Sequence, residues 1–275
     1  GTKGVRLIGY YPDSDFNRTV IECIGEPEPL REAMLRMAGK SYELIDMEQQ
    51  RGKHPRIGAQ DTIPLFPLRG ITLEEVKDLA EEIGAEVWER YQVPIYFSGE
   101  NARTPERKEL AFIRKGQYEG LKEVAYLPER APDIGPAKLH PTAGATIVSA
   151  AAKNLVAINV LLSTTDMEIA RRIAKMMRGP SGGFSTIRAV AFKPDNHDNV
   201  AVSMNMFDTD STPIYRTFQL IENEARRYGL SVVGTQICGT LHQSDLLSAA
   251  EYFLRLVDFD EKQILENNIL ALGEE

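Results

Sequence analysis

The sequence predicts an α+β protein of two units that share the element order β-α-β-β-α-β. In the second half, apolar residues recur with periods of two and of 3.6 residues, and turns rich in Pro and Gly separate these stretches. The first half follows the same order of elements but begins partway through it. With 275 residues, 43% of them hydrophobic, the chain can form two domains with buried cores. We therefore place the domains at residues 1–152 and 153–275.

The second half contains all six elements of this order. We predict strand 154–162, helix 165–178, strands 187–193 and 199–207, helix 213–228 and strand 230–239, with further helix from about residue 244. Asp166 and Glu168 suit the first turn of a helix, where carboxylates favour the positive end of its dipole. Residues 194–198 form a hairpin-type turn between two of the strands.

The first half contains four of these elements, followed by two more. We predict strands 5–11 and 17–24, helix 29–45, strand 62–68, helix 72–91 and strand 93–98. If the halves are duplicates, the first lacks an opening strand and helix, about 25 to 30 residues that would lie upstream. The alternative is that the first half has a different arrangement.

The connection between the halves is long. Residues 105–120 are polar with a helical pattern, and residues 121–144 are irregular and rich in Pro and Gly. Loops of this length are often functional, and this one is placed to line an interdomain cleft.

Composition excludes several classes of protein. A formal charge of −8 disfavours nucleic acid and anionic membranes as partners. The sequence lacks an apolar run of the roughly 18 residues that a membrane span needs, and it lacks the layout of a signal peptide. Its two cysteines are not at metal-ligand spacing. We expect a cytoplasmic protein with a small-molecule partner and no metal.

The most persuasive candidate for chemistry is His54, in the loop 52–58 between Lys53 and Arg56. Nearby cations disfavour the imidazolium and lower its pKa, so His54 should be neutral and able to act as a general base near pH 7. Asp61 could orient the ring or offset the cations. The alternative on local sequence alone is a solvated loop histidine.

A second candidate loop spans residues 135–144. Its glycines permit close approach of the backbone to a ligand, and Lys138 could meet a carboxylate. Together with His140, these features favour a ligand-binding role for the loop over a catalytic one. The alternative is an ordinary polar loop. Asn159 and Asn205 lie inside strands, where an amide must find partners or line a wet cleft.

Seven runs of the sequence, taken together, are specific enough to compare with known families: NRTV at 17–20, GKHPRIGAQD at 52–61, PLFPL at 64–68, APDIGP at 131–136, PTAGA at 141–145, VAINV at 156–160 and VSMNM at 202–206. They resemble the formiminotransferase family over nearly the whole chain. The resemblance implies two ferredoxin-like subdomains with a folate-binding cleft between them. The family's opening strand is missing, in line with the absent first strand and helix.

The resemblance also implies an activity. It is the transfer of a formimino group between N-formimino-L-glutamate and tetrahydrofolate, the folate being a co-substrate, in histidine degradation and one-carbon metabolism. We expect a homodimer. Two alternatives remain open: glutamate formyl transfer from 5-formyltetrahydrofolate, and a non-catalytic folate-binding homologue.

Residue roles follow from the same resemblance. The position of the catalytic base is that of His54. The residues implied to contact folate are Gly135, Pro136, Ala137, Lys138, Leu139, His140, Pro141, Thr142, Ala143 and Gly144. From the residues themselves, our candidates for binding the substrate are Arg56, Asp61, Asn159 and Asn205. Arg56 and Lys138 are our candidates for its carboxylates.

Overall fold

A computed structural model describes residues 1–14, 16–194 and 197–271. The chain divides into two compact units, Gly1–Lys153 and Asn154–Glu275. Each unit combines helices with its own strands, so the protein is of the mixed α+β class. The predicted turn at 194–198 includes Asp195 and Asn196, which lie outside the described residues.

The first unit contains a two-stranded hairpin and a three-stranded parallel sheet. Its strands are β1 (Val5–Asp13), β2 (Arg18–Gly25), β3 (Thr62–Leu65), β4 (Ile95–Gly99) and β5 (Thr146–Ala150). Its helices are α1 (Pro27–Leu44), α2 (Leu73–Tyr91), α3 (Leu110–Ile113) and α4 (Gln117–Val124). Strands β1 and β2 pair antiparallel, and the parallel sheet has the order β3-β5-β4.

The parallel sheet is buried on both faces. Val148 packs into the cluster beneath α1 and α2, whereas its neighbour Ile147 packs into the cluster formed with α4. Such alternation is what the pleat of a strand imposes. Because all three strands are parallel, their starting ends lie at one edge of the sheet, which we call the N-terminal edge.

Two sequence-based predictions for the first unit were wrong. Strand β5 was not predicted, because a short strand buried on both faces shows no polar alternation. Residues 121–144 are less irregular than expected, since α4 extends to Val124 and buries Leu121 completely. The connection therefore returns into the first unit as the middle strand of its sheet.

The second unit has the predicted element order. It consists of β6 (Val156–Leu162), α5 (Met167–Met177), β7 (Ile187–Phe192), β8 (Ala201–Met206), α6 (Ile214–Arg226), β9 (Val232–Cys238), α7 (Gln243–Leu254) and α8 (Leu265–Ala271). The sheet order is β7-β8-β6-β9, and all neighbours are antiparallel. Asp166 caps α5 by accepting a 2.8 Å hydrogen bond from the Glu168 backbone N–H.

Across the described ranges, every helix is too short or too polar to cross a membrane.

Candidate active site

The structure joins the two candidate loops at the N-terminal edge. The histidine loop (residues 50–61) leads into β3, and the second loop (residues 135–144) leads into β5. The Ala59 N–H donates to the Ala143 carbonyl at 2.9 Å, and the Ala145 N–H donates to the Ile57 carbonyl at 3.1 Å. Two stretches that are far apart in sequence thus form one continuous surface.

This junction requires glycine on both sides. Gly58 and Gly144 face each other in an antiparallel bridge. A Cβ at Gly58 would overlap the Ala145 carbonyl oxygen, and one at Gly144 would overlap the Ile57 carbonyl oxygen. Gly144 also has a φ of +74°, which disfavours other residues.

The turn between β1 and β2 holds the histidine loop from the other side. The His54 N–H donates to the Phe16 carbonyl at 3.3 Å, and Gln50 Nε2 donates to the Asn17 carbonyl at 3.0 Å. Gly52 is needed here, because a Cβ would overlap the Phe16 carbonyl oxygen. His54 is consequently fixed by its own backbone and left half-buried.

The surroundings of His54 favour the neutral imidazole. Burial is the largest influence lowering its pKa, followed by the positive charges of Arg114 and Arg18; Asp61 and Asp13 oppose them. A histidine with a lowered pKa is unprotonated at pH 7 and can accept a proton. The direction of this pKa shift agrees with the expectation from sequence, but the cations responsible, Arg114 and Arg18, are distant from His54 in sequence.

Arg56, one of the expected cations, is a buried anchor of the histidine loop. Its Nε donates to Gln50 Oε1 at 2.8 Å, and Nη2 donates to the Gln50 carbonyl at 3.1 Å. Nη1 donates to Gln117 Oε1 at 3.0 Å and to Glu119 Oε2 at 2.8 Å, while Nη2 reaches Glu119 Oε1 at 2.7 Å. The pairing lowers the pKa of Glu119 to about 2. All five N–H donors of Arg56 are used, so we assign it to holding the loop against α4 rather than to binding a substrate carboxylate.

Asp61 has a similar supporting role. Its Oδ1 accepts a 2.7 Å hydrogen bond from the Ile57 backbone N–H, and its Oδ2 forms an ion pair with Arg114. These bonds fix the end of the histidine loop and place a guanidinium group near the imidazole of His54. Asp61 therefore acts on the ring through its charge and through Arg114.

Arg114 is the functional candidate that sequence reasoning missed. It lies between α3 and α4 in the polar stretch 105–120, where arginine is unremarkable and no motif marks it. Arg18 is the first residue of β2. It is exposed, yet its charge reaches His54 because the β1–β2 turn contacts the histidine loop.

In the second loop, His140 has a defined hydrogen-bonding state. Its Nδ1 accepts hydrogen bonds from the backbone N–H groups of Ala143 at 3.0 Å and Thr142 at 3.3 Å. Burial lowers the pKa of His140. Since Nδ1 is an acceptor, the neutral ring carries its proton on Nε2 and offers that group as a donor.

Helix α4 supports both loops. The Tyr118 N–H donates to the Arg56 carbonyl at 2.9 Å, and its phenol donates to the Pro141 carbonyl at 3.0 Å. The phenol also lies 2.6 Å from Glu48 Oε1. One buried tyrosine thus fixes the spacing between the histidine loop and the second loop.

The two asparagines lie in the second unit. Asn159 is 6% exposed, and its Nδ2 donates to Gln236 Oε1 at 3.1 Å and to Cys238 Sγ at 3.3 Å. This amide is satisfied within the sheet, so a substrate would have to displace existing bonds. Asn205 on β8 is exposed.

No group of three or more His, Cys, Asp or Glu side chains that could hold a metal ion occurs among the residues described by the structure.

The protein is thus of the α+β class with two compact units, and its first unit holds a half-buried histidine close to the positive charges of Arg114 and Arg18. The model of the formiminotransferase domain's N-terminal subdomain matches residues 1–151, and that of the formiminotransferase domain matches residues 157–275. The chain belongs to the formiminotransferase family.

Curated relatives extend this match. Glutamate formimidoyltransferase of Streptococcus pyogenes serotype M1 is 40% identical over 98% of this chain and 90% of its own length. The enzyme of that name from Thermoplasma acidophilum is 37% identical over 96% of this chain and 88% of its own. Formimidoyltransferase-cyclodeaminase of Sus scrofa is 37% identical over 92% of this chain, which spans 47% of that longer protein.

Proposed function

We propose that this protein is a glutamate formimidoyltransferase, an enzyme that transfers a formimino group between N-formimino-L-glutamate and tetrahydrofolate. The observation that carries the proposal is His54, half-buried with a lowered pKa, in a loop fixed on three sides. The names of the bacterial and archaeal relatives support the same reaction.

The proposed mechanism uses His54 as the base. Tetrahydrofolate attacks the formimino carbon through its N5 amine, and a tetrahedral centre forms. His54 takes the proton from the attacking nitrogen, and that proton then passes to the glutamate nitrogen as its bond to carbon breaks. Arg114 and Arg18 are placed to attract the substrate's carboxylates, because both carry positive charge close to His54.

The fold supports two related subdomains, at residues 1–152 and 153–275. The antiparallel order β7-β8-β6-β9 is that of a ferredoxin-like sheet. In the first unit, β2 pairs only with β1 and β3 only with β5 among the described strands. One further strand between β2 and β3 would give the first half the same order, which supports the duplication. A folate-binding cleft between the halves, a homodimer and a role in histidine degradation stay predictions.

The pH dependence of turnover tests the charges around His54. The base is active when neutral, so activity should fall as the pH drops through the pKa of His54. Replacing Arg114 with Gln removes a cation near His54 and leaves Asp61 without its ion pair. Both changes raise the pKa of His54. We expect the acid limb of the kcat/KM profile to move to higher pH.

Two further variants make this test decisive. Arg18→Gln should move the limb in the same direction without disturbing Asp61, and Arg171→Gln, an exposed surface change on α5, should leave it in place. A limb that stays fixed or moves to lower pH in both test variants would contradict the assigned electrostatics.

A transfer assay with both donors decides the reaction. We expect glutamate release from N-formimino-L-glutamate in the presence of tetrahydrofolate. Turnover only with 5-formyltetrahydrofolate and glutamate would establish formyl transfer instead. Saturable folate binding without turnover in either assay, for this chain and for a version that carries any upstream residues, would indicate a non-catalytic homologue.

A further inference from the structure

Two residues with a left-handed backbone contact the histidine loop. Asn17, with a φ of +49°, lies in the β1–β2 turn, and Gln117, with a φ of +55°, is the first residue of α4. A left-handed φ is disfavoured for any residue that carries a Cβ. Such strain persists only where surrounding contacts hold it, and it clusters at functional sites. The contacts of these two residues therefore bear on the function of the loop.

Gln117 holds Arg56, two residues beyond His54, by its side chain and by its backbone. Its Oε1 accepts a hydrogen bond from Arg56 Nη1 at 3.0 Å. The next N–H group, that of Tyr118, donates to the Arg56 carbonyl at 2.9 Å. A right-handed φ at Gln117 would rotate its side chain relative to the next peptide, so this pair of bonds depends on the left-handed conformation.

The same turn supplies one of the cations near the base. The Gln117 N–H donates to the Arg114 carbonyl at 2.8 Å and closes the turn 114–117. Arg114 forms an ion pair with Asp61, and its charge lowers the pKa of His54. The turn 114–117 therefore links the anchor of the histidine loop to a charge that acts on the imidazole.

Asn17 makes equivalent contacts from the β1–β2 turn. Its Nδ2 donates to the Arg51 carbonyl, and its own carbonyl accepts from Gln50 Nε2 at 3.0 Å. The next residue is Arg18, whose charge also lowers the pKa of His54. The β1–β2 turn thus has the same two functions as the turn 114–117, since it bonds to the histidine loop and holds a cation near the base.

The charges that act on His54 come from both turns and from the end of its own loop. Arg18 and Asp13 belong to the β1–β2 turn, Arg114 to the turn 114–117, and Asp61 to the histidine loop. The two cations and burial lower the pKa of His54, and burial has the largest influence. A loosened loop would expose the imidazole and move it away from the cations, so its pKa would rise.

We propose that Asn17 and Gln117 are positioning residues for the base His54, and this rests on the proposed function. They hold the histidine loop between the two turns, so that the imidazole meets the attacking nitrogen in one geometry. They act through the loop and not through contact with the substrate. Because a displacement of about 1 Å can lower a rate about a hundredfold, their loss should reduce kcat.

Asn17→Gly and Gln117→Gly separate positioning from folding. Glycine adopts a left-handed φ without strain, so each variant should fold with a Tm close to that of the wild type. We expect kcat to fall by about tenfold to a hundredfold with an unchanged KM for both substrates. The acid limb of the kcat/KM profile should also move to higher pH. Gln117→Glu, which keeps an acceptor of the same reach for Arg56, should recover most of the lost kcat.

Arg255→Gly is the matched control. Arg255 is exposed at the C-terminal end of α7 in the second unit and has a similar φ of +54°. The change to glycine relieves the same kind of strain without touching the histidine loop. It should leave kcat and the acid limb as they are in the wild type.

NMR titration of the histidine side chains measures the same effect without turnover. The His54 signal, assigned by its absence from His54→Ala, should titrate at higher pH in Asn17→Gly and Gln117→Gly than in the wild type. An unchanged kcat and an unchanged His54 titration in both glycine variants of an active enzyme would overturn the positioning role. If a variant loses thermal stability, an undiminished kcat per folded molecule would overturn it equally. A wild type that transfers no formimino group, combined with a raised pKa of His54 in the glycine variants, would overturn the proposed function and keep the positioning.

Discussion

Replacement of His54 with alanine is expected to lower kcat for formimino transfer by about 10²- to 10⁴-fold, the usual contribution of a general base. The variant should fold normally, because the loop is held by the His54 backbone N–H, by Arg56 and by Asp61 rather than by the imidazole. Steady-state kinetics with N-formimino-L-glutamate and tetrahydrofolate measure this loss.

A matched histidine control is available. His197 is exposed in the second unit, so His197→Ala should retain full activity. Folate binding, measured by isothermal titration calorimetry, should survive in His54→Ala. Normal turnover in His54→Ala would remove His54 as the base, and loss of both binding and thermal stability would mean that the ring is structural.

The second large effect is expected at the junction of the two loops. Gly144→Ala should lower the free energy of unfolding of the first unit by about 3 to 5 kcal/mol. Losses of this size are typical of substitutions that create a backbone clash or disrupt the core. An alanine there combines the strain of a left-handed φ with an overlap of its Cβ and the Ile57 carbonyl oxygen. Denaturant unfolding followed by Trp88, which lies in this unit, measures the loss.

Gly70→Ala separates these two causes. Gly70 has a similar φ of +67°, but a Cβ there would have no heavy atom within 4 Å. It should therefore cost only the conformational strain, about 1 to 2 kcal/mol. Equal losses in both variants would show that the contact between the loops contributes nothing, and would weaken the assignment of one continuous site.

Local hydrophobic periodicity correctly predicted the helices and strands that have one exposed face. The second unit's order was correctly predicted because its helices and antiparallel strands alternate apolar and polar residues. Strand β5 (Thr146–Ala150) was missed because four of its five residues are buried and they show no such alternation. The direction of the His54 pKa shift was also correct, but burial is the first cause, and burial cannot be read from adjacent residues.

The sequence alone determined the α+β class, the second unit's element order, the family resemblance and the candidate base, because these depend on local periodicity and contiguous motifs. Tertiary structure decided which residues surround His54. It joins the two loops through Gly58 and Gly144, uses every donor of Arg56, and places the charge of Arg114 close to His54. Electrostatic and steric effects depend on distance in space, which sequence separation does not report.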